Sequence, residues 1–172
     1  MIYIDFDGVI LDTQEILFHD WIKIPNHKNL PETEKIKYIQ NRDWDYILNN
    51  SNIINDSVYH LKNMDYNKTA ILTKIHSIGN EGYSKVKWIR DNNIKQNIIL
   101  VPYPCKKSDV VVAKDNILID DCLKNLTDWI NCDGTGIFFD IDNDNYDSWN
   151  QPNNKGYQKV LSLSKIDKLE RK

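Results

Sequence analysis

Short apolar runs alternate along this chain with longer stretches in which apolar residues recur every three to four positions. The runs fall at about residues 1–5, 69–73, 97–101, 117–120 and 136–140. Each is rich in β-branched or aromatic side chains, and each ends at Gly, Pro, Asp or a charged loop, which suits a buried strand. Strands separated largely by helical stretches predict an α/β fold: a Rossmann-like parallel five-stranded sheet flanked by helices, with right-handed crossovers.

One helical stretch is too long for a simple crossover. Ile16, Leu17, Trp21 and Ile24 fit one amphipathic face, which Pro25 breaks. A second helix after Pro31 carries Ile36, Tyr38, Ile39, Trp44, Ile47 and Leu48, and a third runs from about Ile53 through Val58, Leu61 and Met64. The chain therefore divides into a core of residues 1–13 and 66–172 and a helical insertion of residues 14–65. Aromatic residues concentrate there: Phe18, Trp21, Tyr38, Trp44, Tyr46 and Tyr59. Most are expected to fill the core. Phe18 and Trp44 are the candidates for stacking on a ligand, an interaction worth about 1–3 kcal/mol per nucleobase.

Later periodicity predicts a helix over Glu81 to Asn92, with Tyr83, Val86, Trp88 and Ile89 inward and the charges elsewhere. Leu123 to Ile130 reads as another. Val160, Leu161, Leu163, Ile166 and Leu169 recur at helical spacing, so a last helix from about Tyr157 is expected to pack on the sheet.

At 172 residues, 41% hydrophobic and 27% charged, the chain can bury one good core. A formal net charge of −3 offers no broad basic face, which disfavours a long nucleic-acid partner. A small phosphorylated molecule needs only a local group of cations and amides. Cys105, Cys122 and Cys132 match no zinc spacing and read as free thiols. No apolar run approaches the roughly 18 residues of a membrane span, and the first strand starts where a leader would stand. A soluble cytoplasmic protein is expected; the pattern leaves oligomeric state open.

Chemistry enters where the first run ends, at Asp5-Phe6-Asp7-Gly8. Carboxylates two positions apart in an extended segment point to one side, and their convergence is costly unless a cation neutralises it. Mg²⁺, a hard ion that prefers oxygen, suits the need. A carboxylate can also attack phosphorus, while a second carboxyl protonates the leaving oxygen and then deprotonates water. Gly8 lets the backbone turn so that amides face a phosphoryl group. Ile117 to Asp120 followed by Asp121 is a second apolar run ending in acids. The loop Cys105-Lys106-Lys107-Ser108-Asp109 offers a lysine to balance such charge, Lys107 or its neighbour Lys106. His76 and Ser77 lack the context of a nucleophilic pair. The run from Asp140 to Asn145 is no calcium loop, because Asn145 stands where Gly is required.

These motifs resemble those of the haloacid dehalogenase-like hydrolases, phosphatase branch. DxDGVxxDT from Asp5 to Thr13 resembles motif one, Thr69 to Lys74 motif two, Lys107 motif three and the strand ending Asp120-Asp121 motif four. The resemblance implies Asp5 as nucleophile and Asp7 as acid/base; the dehalogenases lack the second Asp. It implies that Thr73 and the following amide of Lys74 hold the phosphoryl oxygens. It also implies a Mg²⁺ shell of Asp5, Asp120 and the Asp7 carbonyl, ordered by Asp121, and a small helical cap in residues 14–65 that selects substrate. DDxxxNLxxW from Asp120 to Trp129 is similar to the bacterial and phage branch related to the 5′(3′)-deoxyribonucleotidases. A small nucleotide is thus the expected substrate. The alternatives are a sugar phosphate or other metabolite, or a non-catalytic module that binds nucleotides or nucleic-acid ends.

Overall fold

A computed structural model describes residues 1–140 and 158–166 of the chain. Its strands are β1 (Ile2–Ile4), β2 (Thr69–Ile75), β3 (Asn97–Pro102), β4 (Ile117–Asp120), β5 (Thr135–Phe139) and β6 (Gln158–Val160). They form one parallel sheet in the order β3-β2-β1-β4-β5-β6. Alternation along the strands sends side chains into two apolar layers. Ile2, Ile4, Ile71, Ile119, Ile137 and Phe139 face one layer. Tyr3, Leu72, Leu118 and Phe138 face the other, with Trp129. The sheet's winding reverses at β1, whose neighbours β2 and β4 lie on opposite sides, so a crevice opens at their carboxyl ends.

Helices fill the gaps: α1 (Thr13–Phe18), α2 (Glu32–Gln40), α3 (Trp44–Asn50), α4 (Ser57–Asn63), α5 (Tyr83–Asp91), α6 (Lys107–Val110) and α7 (Leu123–Ile130). The expected second helix is two. Its periodic residues continue, but Asp43 starts a new helix by accepting the Tyr46 backbone N–H at 2.9 Å. The expected first helix stops at Phe18, and Trp21–Lys23 forms a separate 3₁₀ turn.

After β1 the chain turns tightly, with Gly8 N–H donating to Leu11 O at 2.8 Å and Ile10 N–H to Phe6 O at 2.9 Å. It leaves through Asp12 and returns beside itself. Asp12 N–H donates to Asn52 O at 3.0 Å, and Ile54 N–H to Ile10 O at 3.1 Å. Helix α4 follows that return, its Ser57 hydroxyl donating to Ile10 O at 2.8 Å.

The sheet has six strands where five were expected. Residues 158–160 form an edge strand on β5, and Leu163–Lys165 a 3₁₀ turn, in place of a helix. Val160, Leu163 and Ile166 are still the buried positions, and the spacing of three between them is served by a strand end and a turn. Tyr157, Leu169 and the acidic run from Ile141 to Asn145 lie outside the described residues. Tyr83, expected inward, is 64% exposed at the first turn of α5. Among the described residues no helix is long and apolar enough to cross a membrane.

Candidate active site

Asp5 stands one residue past β1, its N–H donating to Ile119 O of β4 at 2.9 Å. Its carboxylate is buried, and Oδ1 accepts the Phe6 N–H at 2.8 Å and pairs with Lys107 Nζ at 2.9 Å. Lys107 opens α6, where a loop was expected, and its ammonium also meets Asp120 Oδ2 at 2.6 Å. Lys106 turns outward to Asp128 at 2.8 Å and is 54% exposed. The helix start thus decides between the two lysines: one is buried among the acids, the other lies on the surface.

Asp120 closes β4. Its Oδ1 accepts the Cys122 N–H at 2.8 Å, and Asn125 Nδ2 lies 3.2 and 3.0 Å from its two oxygens. Asp121 follows, with Gln14 Nε2 donating to its Oδ2 at 3.0 Å. Oxygens of Asp5, Asp120 and Asp121 all lie within 4.8 Å of one another, and all three side chains are buried. Gly8 makes this approach possible. Its φ is +75°, and a Cβ built there would stand 2.1 Å from Asp121 Oδ2.

The crowding shows in the acidities. Burial pushes the Asp5 carboxyl up to about 7; Lys107 opposes that rise, and the charges of Asp120 and Asp7 add to it. Asp121 is held well above the usual carboxylate range by burial and then by Asp120 and Asp5. Burial alone would lower Lys107, but Asp120 and Asp5 more than offset it and keep the ammonium charged. Three buried carboxylates with oxygens this close form a hard-oxygen donor set, and that chemistry fits Mg²⁺. The Asp7 side chain is not part of this cluster.

Asp7 belongs to a second group. Its Oδ1 accepts the Thr13 hydroxyl at 2.8 Å, and its Oδ2 faces Lys85 Nζ at 2.5 Å and Thr73 Oγ1 at 3.5 Å. Thr73, buried on β2, also lies 3.2 Å from Lys85 Nζ, and the Lys74 carbonyl accepts from that ammonium at 3.0 Å. Lys85 closes on Glu81 at 2.8 Å, and Glu81 accepts the His76 backbone N–H at 2.6 Å. Burial would raise Glu81, yet Lys85 and His76 outweigh it and bring its carboxyl down to about 2. Lys85 stays above its ordinary value for the same reason, Asp7 and Glu81 more than compensating for burial.

The two aromatic candidates part company. Trp44 is 1% exposed, its indole N–H donates to Ile39 O at 3.1 Å, and its ring sits 5.0 Å from Lys85 Nζ. Packing uses its whole surface, which corrects the expectation of a substrate contact. Phe18 is half-buried against the core, with Lys35 Nζ 5.3 Å from its ring centre.

Sequence reasoning placed Asp5, Asp7, Gly8, Thr73, Lys74, Lys107, Asp120 and Asp121, and the fold brings them to one end of the sheet. It missed Lys85, Glu81, Thr13 and Gln14, and it gave Asn125 no role. A signal existed for the first pair. Glu81, Lys85 and Ile89 recur every four residues, so the charges lie on the stripe that Ile89 buries.

No family model matches the sequence, and no curated protein matches it. Solved structures do. The L-2-haloacid dehalogenase from Xanthobacter autotrophicus superposes with a TM-score of 0.62 at 10% identity, over 99% of this chain and 97% of that one. The putative HAD-hydrolase YfnB from Bacillus subtilis bound to magnesium gives 0.58 at 14% identity, over 98% and 96%. A HAD phosphatase from Thermococcus onnurineus gives 0.56 at 12%, over 98% and 96%. These likenesses are of architecture, spanning nearly the whole of each chain. With its acids and lysines gathered where the sheet's winding reverses, the chain has the fold shared by haloacid dehalogenase-like hydrolases, phosphatases and dehalogenases alike.

Proposed function

We propose that the protein is a Mg²⁺-dependent phosphomonoesterase working through an aspartyl-phosphate on Asp5. The observation that carries this reading is the Asp5 carboxylate, held by Lys107 beside Asp120 and Asp121 with oxygens within 4.8 Å. The presence of Asp7 favours phosphoryl transfer over dehalogenation, because an ester's leaving oxygen needs a proton. Asp5, Asp120 and Asp121 would hold the ion with the Asp7 carbonyl, and the ion would offset their charge and that of the phosphoryl group.

The chain's own groups supply the rest. Both bonds to Asp5 fall on Oδ1, so Oδ2 is the oxygen that attacks phosphorus as the ester bond breaks. Asp7 gives its proton to the leaving oxygen. It then takes one from water, which attacks the phosphorus of the aspartyl-phosphate and regenerates Asp5. Thr73, the Lys74 amide, amides beside Gly8, and Lys107 hold the phosphoryl oxygens.

A small 5′- or 3′-nucleotide is the substrate we favour, from the DDxxxNLxxW run. One observation favours a sugar phosphate or other metabolite instead: Trp44 is taken up by packing, which leaves Phe18 alone of the two stacking candidates. The return at Asn52 suggests that the substrate-selecting cap ends there and that α4 belongs to the core. A panel of phosphorylated metabolites tests the reading. The expected result is Mg²⁺-dependent phosphate release, with label from substrate on Asp5, both abolished in Asp5→Asn. Full turnover by that variant overturns it.

A further inference from the structure

Lys85 carries the best-formed polar group outside the clustered carboxylates. Its side chain is wholly buried, and its ammonium has acceptors in Asp7 Oδ2 at 2.5 Å, Glu81 Oε1 at 2.8 Å, the Lys74 carbonyl at 3.0 Å and Thr73 Oγ1 at 3.2 Å. The rings of Trp44 and Phe6 wall it in, 5.0 and 5.7 Å from the nitrogen. A lysine taken out of water survives only when paired and hydrogen-bonded, and Glu81, one turn away on the same side, meets that need together with the Lys74 carbonyl and Thr73. The reach to Asp7, on a different element, calls for another explanation.

Each side chain of the group is held by another or by the backbone. Glu81 is fixed by the His76 backbone N–H and lies 3.3 Å from the His76 ring. Lys85 is fixed by Glu81 and the Lys74 carbonyl, and Asp7 is held on one oxygen by Lys85 and on the other by Thr13. An acid/base carboxyl serves two steps from one place: it reaches the leaving oxygen first and the attacking water second. Resting on the phosphomonoesterase reading, we propose that Lys85, itself set by Glu81, is the positioning residue of Asp7.

Positioning an acid matters in proportion to how badly the leaving group needs a proton. Lys85→Met keeps the stem and removes the ammonium. On an alkyl phosphomonoester, kcat is expected to fall at least tenfold, with KM changed by less than about twofold. On p-nitrophenyl phosphate, whose leaving oxygen departs without a proton, the first turnover is expected to survive as a burst of one nitrophenolate per site. Slow hydrolysis of the aspartyl-phosphate follows, because the second step still needs its base. Lys85→Arg is expected to restore part of the alkyl rate. If Lys85→Met does not fold, Glu81→Gln, which keeps the shape and loosens the lysine, is expected to show the same preference for the aryl ester more weakly. Equal losses on both esters without a burst, or unchanged rates, overturn the inference while wild-type turnover stands. A wild-type protein that hydrolyses no phosphomonoester overturns both readings.

Discussion

The three clustered carboxylates should make the metal-free protein less stable than it would be without one of them, and Asp5→Asn measures by how much. The unfolded chain releases the Asp5 proton near the ordinary 3.8, whereas the folded chain holds it to about 7. The folded pKa is the higher of the two, so the contribution to stability is full below about 3.8. It drains away as pH rises towards 7 and is constant above that. At 1.36 kcal/mol per tenfold, the ceiling on the loss is about 4 kcal/mol. Even a third of it, about 1.5 kcal/mol, moves the midpoint of a domain this size by roughly 3–6 °C. Asp5→Asn cannot ionise and escapes the loss. Thermal melts of both proteins in chelator, from about pH 4 to pH 8, should show the variant's midpoint climbing relative to wild type and levelling near neutrality. Saturating Mg²⁺ should reverse the order, since the ion stabilises the native state it binds by about 2.7 kcal/mol at a hundred times its Kd. A difference between the two proteins that stays flat with pH would refute the account of strained acids.

Gly8→Ala should cost about 2 kcal/mol of stability, from a left-handed backbone that penalises a side chain by about 1–2 kcal/mol and from a Cβ 2.1 Å from Asp121 Oδ2. It should also weaken Mg²⁺ binding at least tenfold by calorimetry; a variant with wild-type melting and affinity would contradict the close approach. Lys107→Met should lower kcat by about 10²-fold or more in steady-state phosphate release, the scale of losing one preorganised charge donor. Lys106→Met should stay within about twofold, because an exposed pair with Asp128 is worth only about 0.2–1 kcal/mol. The opposite ranking of the two lysines would overturn the register.

Much of this molecule could be read in advance because its inner strands are largely buried on both faces. Such strands write themselves as unbroken apolar runs, and those ending at Asp5, Thr73 and Asp120 announced the site's edge. The choice between Lys106 and Lys107 was not legible, because it depends on the residue at which α6 begins, and a one-residue shift would exchange them. Lys85 was missed for a different reason. A charged residue on a helix defaults to solvent, and only the acceptors that the fold gathers round it, Glu81, the Lys74 carbonyl and Asp7, make an inward lysine tolerable. Positions 160, 163 and 166 misled because an edge strand followed by a 3₁₀ turn buries the same spacing as a helix. Trp44 misled because an aromatic that could face a ligand looks, in sequence, like one that seals a charge.

The meeting of Asp12 with Asn52 gives residues 13–51 the character of an exchangeable cassette, since a segment whose ends already touch can be lengthened or replaced without reopening the sheet. The freedom has a limit set by Trp44, which lies inside that cassette and roofs the Lys85 ammonium. Any transplanted substitute would have to bring its own aromatic plug for that lysine, or water would reach it and loosen its hold on Asp7.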